Sequence, residues 1–274
     1  MRLAGHVALV TGASRGIGRA VARRLAAEGA AVVVTATSEP GLKETCALID
    51  GAGGKSAWLI ANLADAEARA GLVAAAAAKL GAIDVLINNA AAVPAFAPPS
   101  KIDLPARQAT FEINFQAPVD LIQQALPGMR ERGWGRVVNI SSETTLQPPI
   151  PYPGPAKLIH ALTVYGASKA ALERYTLGLA AELHGSGVHV NALLPHKIAL
   201  SESAMTVARQ MATSHPDWLE PVEMMAEAVA ILVAGQHTGL VVKSRELLQL
   251  TQTPLRALDG VTVLGDALTL TTIQ

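Results

Sequence analysis

The sequence predicts an α/β fold with one doubly wound, parallel β-sheet and helices on both of its faces. Apolar runs of strand length alternate with helical patterns along the chain, which is typical of strands joined by right-handed crossovers. The first run ends in a glycine-rich turn that leads straight into a helical pattern. The chain has 274 residues, of which 50% are apolar, enough for one large sheet with a substantial core. We therefore expect a single Rossmann-type domain over residues 1–274, with a divergent tail from about residue 243.

The predicted elements follow one another in a regular order. Strands are predicted at residues 6–10, 31–34, 56–60, 85–87, 136–140 and 188–194, and residues 238–242 fit the start of a last strand. Helical patterns lie between the strands, and the alanine run at residues 74–78 predicts a tightly packed helix. Ligands of such sheets bind beyond the carboxyl ends of the strands, where Gly12, Asn88, Ser142 and Pro195 all fall. The sequence therefore predicts one site built from several loops.

The turn after the first strand contains Gly12, Gly16 and Gly18 and is followed by apolar residues at helical spacing. Glycine lets the backbone approach a phosphate closely, and a helix N-terminus offers free N–H groups and the positive end of its dipole. The strand, the turn and the helix together predict a cradle for the pyrophosphate of a dinucleotide.

Tyr165 and Lys169 are four residues apart, and Tyr165 follows Ser142 by 23 residues. On a helix this spacing puts the tyrosine and the lysine on one face, so the ammonium group can favour the ionised phenol. An unperturbed tyrosine has a pKa of roughly 10, which is too high for efficient proton exchange near neutral pH. We expect Lys169 to lower that pKa, and the Ser142 hydroxyl to polarise a substrate carbonyl against the phenol. The three residues predict an acid–base site.

The glycine spacing reads G-x-x-x-G-x-G, and from about residue 3 to about residue 240 the chain resembles the short-chain dehydrogenase/reductase family. Asn-Asn-Ala-Ala at residues 88–91 matches the family's Asn-Asn-Ala-Gly segment, which supports the central strand and the adenosine side of the site, except that alanine replaces the glycine. Asn114 matches the family's helix asparagine, which the resemblance implies holds a water in a proton relay. With Ser142, Tyr165 and Lys169 it completes the family's catalytic tetrad.

The residues after the second strand predict the choice of cofactor. A carboxylate there would bond a free ribose 2′-hydroxyl and repel a 2′-phosphate, but residues 35–38 read Thr-Ala-Thr-Ser. Arg15, inside the glycine turn, offers a guanidinium fork suited to phosphate, and the hydroxyls of Thr37 and Ser38 are placed to help. These residues favour NADP(H) over NAD(H). In the alternative interpretation Arg15 is a solvated loop residue, and Thr37 and Ser38 cap a helix.

The same two segments resemble those of bacterial 3-oxoacyl-acyl-carrier-protein reductases, which use NADPH. The resemblance implies that Asn62 and Leu63 lie against the adenine, and that the segment around Pro195 and Ile198 holds the nicotinamide carboxamide. No metal ligand is predicted. The cofactor-binding residues predicted are Gly12, Ser14, Arg15, Gly16, Ile17, Gly18, Thr37, Ser38, Asn62, Leu63, Asn89, Ala90, Ala91, Tyr165, Lys169, Pro195 and Ile198.

Two segments near the site depart from the family pattern. The span before Tyr165 is long and rich in proline at residues 148–155, which predicts a stiff, partly apolar flap. Tyr152 in this flap is either a wall of the substrate pocket or simply a loop aromatic. After the sixth strand His196 replaces the family's glycine, and the usual threonine is absent, with Ser201 the nearest hydroxyl. We expect nicotinamide orientation or affinity to be altered there, and His196 is either a substrate contact or a structural residue.

The C-terminal tail departs from the family as well, because the usual Asp/Asn-Gly-Gly ending is missing. Residues 261–270 have the pattern of a hairpin with Gly265 and Asp266 at its turn. A hairpin this apolar needs a partner. We therefore expect the tail to pack on a neighbouring subunit or over the substrate pocket.

Composition and charge narrow the class of function. The formal net charge is zero, and no basic stripe or aromatic-interleaved patch indicates nucleic-acid binding. No uninterrupted apolar stretch reaches the roughly 20 residues of a membrane span. The single Cys46 cannot form an internal disulfide, and the N-terminus runs straight into the first strand, so we expect a cytoplasmic protein. The resemblance also implies a homodimer or homotetramer, paired through apolar helices at residues 106–129 and 168–184.

Together these features predict an NADPH-dependent reductase of a ketone or 3-oxoacyl group, or the reverse alcohol dehydrogenase, acting on a small molecule. The substrate is an acyl thioester or, as the long flap favours, a steroid-like, quinone or cyclic ketone. From a different class, the chain is a cofactor-binding sensor or scaffold with little turnover. The departures at Ala91, His196, Leu200 and the C-terminus favour that alternative, and the complete tetrad opposes it.

Overall fold

A computed structural model describes residues 1–93, 96–146, 160–196, 198–202 and 216–266, with residues 205, 209, 212 and 213. Seven strands form its central sheet: β1 (Val7–Thr11), β2 (Ala31–Ala36), β3 (Lys55–Ile60), β4 (Ile83–Asn88), β5 (Gly135–Ile140), β6 (Val188–Leu194) and β9 (Val241–Lys243). All neighbours pair in parallel, in the order β3-β2-β1-β4-β5-β6-β9. The chain reverses its direction of winding between β1 and β4, which is where ligands bind in such sheets.

Helices cover both faces of this sheet and enclose two apolar cores. One core is shared with α1 (Gly16–Ala27), α2 (Glu39–Asp50), α8 (Val222–Ala234) and α9 (Ser244–Leu250). The other is shared with α4 (Leu72–Leu80), α6 (Ala117–Glu131) and α7 (Thr163–Glu182). The remaining short helices are α3 (Ala66–Arg69) and α5 (Leu104–Phe111). The predicted doubly wound fold is confirmed, and no helix in the described ranges is long and apolar enough to cross a membrane.

The first six predicted strands are all present, with ends within two residues of those observed. The helix predicted at 106–129 is interrupted, because a π-helical turn at Glu112–Gln116 separates α5 from α6. The helix predicted from residue 168 begins five residues earlier, at Thr163, so that Tyr165 lies in its first turn. Cys46 is buried in α2, where its side chain packs in the core shared with α1.

The described part of the tail forms a different hairpin from the one predicted. β10 (Leu255–Arg256) pairs antiparallel with β11 (Val263–Gly265), so Gly265 lies in a strand and not at a turn. The chain bends instead near Asp259, whose carboxylate accepts hydrogen bonds from two backbone N–H groups, and at Gly260, where φ is +72°. The predicted second strand falls at residues 267–270, outside the described residues.

The tail is anchored to its own subunit by a buried ion cluster. Glu227 of α8 is fully buried and accepts hydrogen bonds from Arg24 Nε at 2.9 Å and from Arg256 Nη1 at 3.0 Å. Arg24, itself 1% exposed, also contacts Glu28 at 2.6 Å. The cluster therefore joins α1, α8 and β10. Contact of the tail with a neighbouring subunit or the substrate pocket stays a prediction.

We expect Glu227→Leu to lower the free energy of unfolding by about 3–5 kcal/mol, because it leaves the buried Arg24 with Glu28 alone and removes the partner of Arg256. Chemical denaturation of the purified protein measures this. Glu182→Leu is the matched control, since the Arg130–Glu182 pair is exposed on both sides and is worth about 0–1 kcal/mol. Equal losses in the two variants would contradict a stabilising role for the cluster.

Candidate active site

A cleft of about 480 Å³ opens beyond the carboxyl ends of the central strands. It brings together residues from the glycine turn, from the loops after β2 to β6, and from α7. Gly16, Ser38, Asn114 and Ile198 lie outside its lining. The other predicted site residues border it: Gly12, Ser14, Arg15, Ile17, Gly18, Thr37, Asn62, Leu63, Asn89, Ala90, Ala91, Ser142, Tyr165, Lys169 and Pro195.

The glycine turn is held in place by tight backbone packing. A Cβ at Gly12 would lie 2.8 Å from Ala90 Cα, and one at Gly18 would lie 2.5 Å from Asn89 Nδ2. Asn89 Nδ2 donates to the backbone oxygen of Thr11 at 2.8 Å and to that of Gly12 at 3.2 Å. Glycine at these positions therefore lets the turn close against residues 89 and 90.

Thr11 is a structural residue of the site that the sequence reasoning did not single out. Its hydroxyl donates to Ile87 O at 3.2 Å and accepts from the backbone N–H groups of Asn89 and Ala90, both at 3.0 Å. One side chain thus joins the ends of β1 and β4. Its place immediately before the first glycine was the available signal.

The end of the cleft next to the glycine turn carries the Arg15 cation and the hydroxyl groups of Ser14, Thr35 and Thr37. Arg15 and Thr37 are exposed at the cleft, and the guanidinium of Arg15 has no hydrogen-bond or ion-pair partner among the described residues. None of the described residues lining the cleft is Asp or Glu. The Ser38 hydroxyl accepts a hydrogen bond from Gly41 N–H at 3.4 Å, so the helix-cap interpretation holds for this serine. A cleft whose described lining contains Arg15 and Lys169 but no carboxylate, next to a glycine-rich turn, fits a phosphate-bearing dinucleotide.

Ser142 and Tyr165 meet at the other end of the cleft. Both side chains line the cleft, and the Ser142 hydroxyl oxygen accepts from the N–H and the hydroxyl of Thr144 at 3.2 and 3.0 Å. Gly166 permits this approach, because a Cβ there would lie 2.2 Å from Thr144 O. Burial raises the pKa of Tyr165 to about 12, and the hydrogen bond with Ser142 opposes this rise.

Lys169 lies one helical turn below Tyr165 and is 1% exposed. Its Nζ is 5.9 Å from the centroid of the Tyr165 ring and donates to Ile140 O at 2.8 Å. Burial lowers the pKa of Lys169 to about 8, against the opposing effect of the Glu173 charge. The prediction that Lys169 holds down the pKa of Tyr165 is wrong in this structure, because desolvation of the phenol outweighs the influence of an ammonium group turned towards β5.

Asn114 clamps two parts of the site together. It lies in the π-helical turn, fully buried, and exchanges hydrogen bonds of 3.0 and 2.9 Å with the backbone N–H and C=O of Ala92. Its Nδ2 also lies 3.2 Å from Ser168 Oγ, which in turn donates to the backbone oxygen of Tyr165 at 2.7 Å. Asn114 therefore ties the segment after β4 to the first turn of α7. Its role in a proton relay stays a prediction.

Glu173 and Ser141 were missed by the sequence reasoning. The Ser141 hydroxyl donates to Glu173 Oε1 at 2.5 Å, and burial raises the pKa of this carboxyl group. Tyr165, Lys169 and Glu173 are spaced four residues apart and share one helical face, so the same spacing that predicted the first two could have found the third.

The segment after β6 crosses the glycine turn. β7 (Ile198–Leu200) pairs in parallel with β8 (Leu219–Pro221). Ser201, which directly follows β7, lines the cleft. The Glu202 carboxylate accepts from Gly16 N–H at 2.7 Å and so occupies one backbone donor of the glycine turn. A Cβ at Gly16 would lie 3.3 Å from Ser201 Cβ. The predicted flap at 148–155, with Tyr152, lies outside the described residues.

A parallel sheet with a glycine cradle at its switch point and a Ser–Tyr pair beside a buried lysine defines an NAD(P)-dependent oxidoreductase. A family model described as short chain dehydrogenase matches residues 6–212. The chain belongs to this family, as the resemblance implied.

Curated relatives extend over most of the chain. The ketoacyl reductase HetN of a Nostoc species is 33% identical over 245 residues, which are 89% of this chain and 81% of that protein. The human dehydrogenase/reductase SDR family member 4 is 37% identical over 203 residues, which are 74% of this chain and 69% of that protein.

Solved structures are similar over a comparable range. A 3-oxoacyl (acyl-carrier-protein) reductase from Agrobacterium tumefaciens with NADP bound has a TM-score of 0.76 and 29% identity, covering 88% of this chain and 93% of that chain. A metagenomic short-chain oxidoreductase in complex with NADP has a TM-score of 0.73 and 30% identity, covering 89% and 98%.

Proposed function

We propose that the protein is an NADPH-dependent reductase that converts a ketone or 3-oxoacyl group to a secondary alcohol. One observation carries the proposal: a single cleft is lined by Ser142 and Tyr165 at one end and by the unpaired Arg15 beside the glycine cradle at the other, with no carboxylate in its described lining.

Each catalytic side chain of the cleft has its own role in carbonyl reduction. The reduced nicotinamide, when bound, supplies the hydride. Ser142 holds the substrate oxygen by a hydrogen bond, and Tyr165 donates the proton to that oxygen. Lys169 contributes a positive charge and binds the cofactor ribose, while Asn114 maintains the proton relay. With its pKa raised to about 12, the phenol keeps its proton at neutral pH and is in the form that can donate it to the substrate oxygen.

NADPH is preferred over NADH in this proposal. Arg15 is free to pair with a 2′-phosphate, Thr37 offers a hydroxyl, and the described lining of the cleft contains no Asp or Glu that would repel the phosphate. Two similar solved structures are described with NADP bound, which supports the same choice for this chain.

The proposed substrates are ketones, and 3-oxoacyl thioesters are the first group of candidates among them. The names of HetN and of the Agrobacterium reductase support this, since each is described as acting on a ketoacyl or 3-oxoacyl group. Cyclic, steroid-like and quinone substrates form the second group. We further propose that the subunits pair through α6 and α7, as the family resemblance implies.

The test is a fluorescence titration of the purified protein with NADPH and NADH in parallel, followed by a substrate panel. The panel contains 3-oxoacyl thioesters, cyclic ketones, steroid ketones and quinones. Tighter binding of NADPH and its oxidation by one substrate class are expected. Tight binding without oxidation by any of them would favour a sensor or scaffold, and tighter binding of NADH would contradict the role of Arg15.

We expect the protonation state of Lys169 to set the pH dependence of the reaction. With a pKa of about 8, its side chain is positive below pH 8 and loses its charge above, whereas Tyr165 stays protonated. We expect kcat/KM for reduction to fall above about pH 8. Glu173→Gln removes the negative charge that raises the pKa of Lys169, so the falling limb of the pH profile should move to lower pH.

Glu182→Gln, at the far end of the same helix, is the control and should leave the profile in place. If the falling limb of the pH profile is unchanged in Glu173→Gln, or moves to higher pH, Lys169 is not the group whose deprotonation lowers kcat/KM.

A further inference from the structure

Glu220 is a buried carboxyl group outside the cleft that the proposed chemistry does not use. It lies in the middle of β8 and is fully buried. Ser244 Oγ is 2.8 and 2.9 Å from its two oxygens, and the backbone N–H of His196 donates a further hydrogen bond to it. Its donors thus come from two segments that are distant from it and from each other in the sequence.

These contacts place Glu220 at the junction of the central sheet and the segment over the cleft. Ser244 directly follows β9, the last strand of the central sheet. His196 directly follows Pro195, which lines the cleft. Within the small sheet, Glu220 is the register partner of Ala199 in β7. The carboxyl group therefore connects the end of β9 to His196, while the backbone of the same residue pairs with β7, which leads to Ser201 at the cleft.

Burying a carboxyl group costs more free energy than burying an apolar side chain, which makes glutamate unusual at a purely structural position. Burial raises the pKa of Glu220 to about 7, which means that its hydrogen bonds and the positive charge of Arg245 offset the loss of hydration only in part. An apolar side chain at a fully buried strand position would avoid this cost but could not accept the hydrogen bonds from Ser244 and His196.

We propose that Glu220 is a positioning residue, which holds Pro195 and the segment 198–201 in the geometry that binds the nicotinamide end of the cofactor. It touches neither cofactor nor substrate in this role. The proposal rests on the proposed binding of NADPH in the cleft. It predicts that loss of the carboxyl group weakens contacts at the nicotinamide end and leaves the adenosine end intact, because the residues around Arg15 belong to other loops.

The experiment compares two ligands on the protein and on Glu220→Leu. Fluorescence or calorimetric titration with NADPH reports the whole cleft, and titration with adenosine 2′,5′-bisphosphate reports the adenosine end alone. We expect Glu220→Leu to raise the Kd for NADPH on the order of tenfold, through lost preorganisation, and to leave the Kd for the bisphosphate unchanged. Glu220→Gln, which keeps one acceptor oxygen, should restore part of the NADPH affinity.

Hydrogen exchange gives a second readout that needs no cofactor. The backbone amides of residues 198–200 should exchange faster in Glu220→Leu, and those of β5 should not. Glu227→Leu removes another fully buried carboxyl group, away from the cleft lining, and serves as the control for general destabilisation. Ser244→Ala should show the same pattern more weakly, and it replaces Glu220→Leu if that variant does not fold.

The outcomes separate this proposal from the proposed function. If the unmodified protein binds the bisphosphate but not NADPH, or neither, the proposed function fails. If NADPH binds and Glu220→Leu leaves its Kd unchanged, or weakens both ligands equally, the positioning role is overturned while the proposed function stands.

Discussion

Tyr165→Phe should lower kcat for ketone reduction by roughly 10²- to 10⁴-fold, the range that a positioned proton donor contributes. Phenylalanine keeps the ring in the first turn of α7 but has no proton to give to the substrate oxygen. The affinity for NADPH should stay nearly the same, because Arg15, the glycine cradle and Lys169 are untouched. Steady-state kinetics with the best substrate of the panel and an NADPH titration measure the two quantities.

Tyr175→Phe is the matched control for this variant. Tyr175 lies on the same helix, outside the cleft lining, with its ring edge-on to Phe115 at 6.2 Å. Its kcat should be unchanged. Retained turnover in Tyr165→Phe would refute the proton-donor role, and a loss of NADPH affinity to match the loss of turnover would show that the cleft itself had been disturbed.

The second large effect is expected at the adenosine end. The double variant Arg15→Ala, Thr37→Asp should reverse the cofactor preference, with the ratio of kcat/KM for NADPH over NADH falling by roughly three orders of magnitude. Two changes combine in it. Arg15→Ala removes charge-assisted hydrogen bonds to the 2′-phosphate, and Thr37→Asp adds a carboxylate that repels the phosphate and can bond a free 2′-hydroxyl.

The single variants and Arg23→Ala complete this experiment. Each single variant should lower the NADPH-over-NADH ratio of kcat/KM by less than the double variant does. Arg23→Ala should leave the ratio unchanged, because Arg23 lies on α1 outside the cleft lining. An unaltered preference in the double variant would mean that the cofactor contacts this end of the cleft through other groups.

Local patterns were enough to predict the sheet and the outline of the cleft. Strand-length apolar runs and the helices between them admit few topologies, because parallel strands need long right-handed crossovers. The turn at Gly12 was recognisable for a related reason, since a backbone that packs against Ala90 and adopts positive φ excludes most side chains. The helical spacing of Tyr165 and Lys169 was sufficient to place both on one face of α7.

Predictions that depended on partners distant in sequence fared less well. The hairpin turn assigned to Gly265 was wrong because β11 pairs with Leu255, a partner that the tail pattern did not reveal. Glu220 and Glu202 gave no local signal, although one contacts Ser244 and His196 and the other contacts Gly16. The interruption of the long helix at Asn114 was equally hidden, because the Ala92 segment and Ser168 supply the partners of its side chain.

The sequence by itself determined the fold class, the family and the identity of the groups gathered in the cleft, because periodicity and glycine spacing are local properties of the chain. Only the tertiary structure decided the direction in which the pKa values of those groups are shifted. Burial raises the pKa of Tyr165 and lowers that of Lys169, and in both cases the loss of hydration in the folded chain is the largest cause of the shift. A pKa is set by the complete surroundings of a group, and those surroundings exist only once the chain has folded.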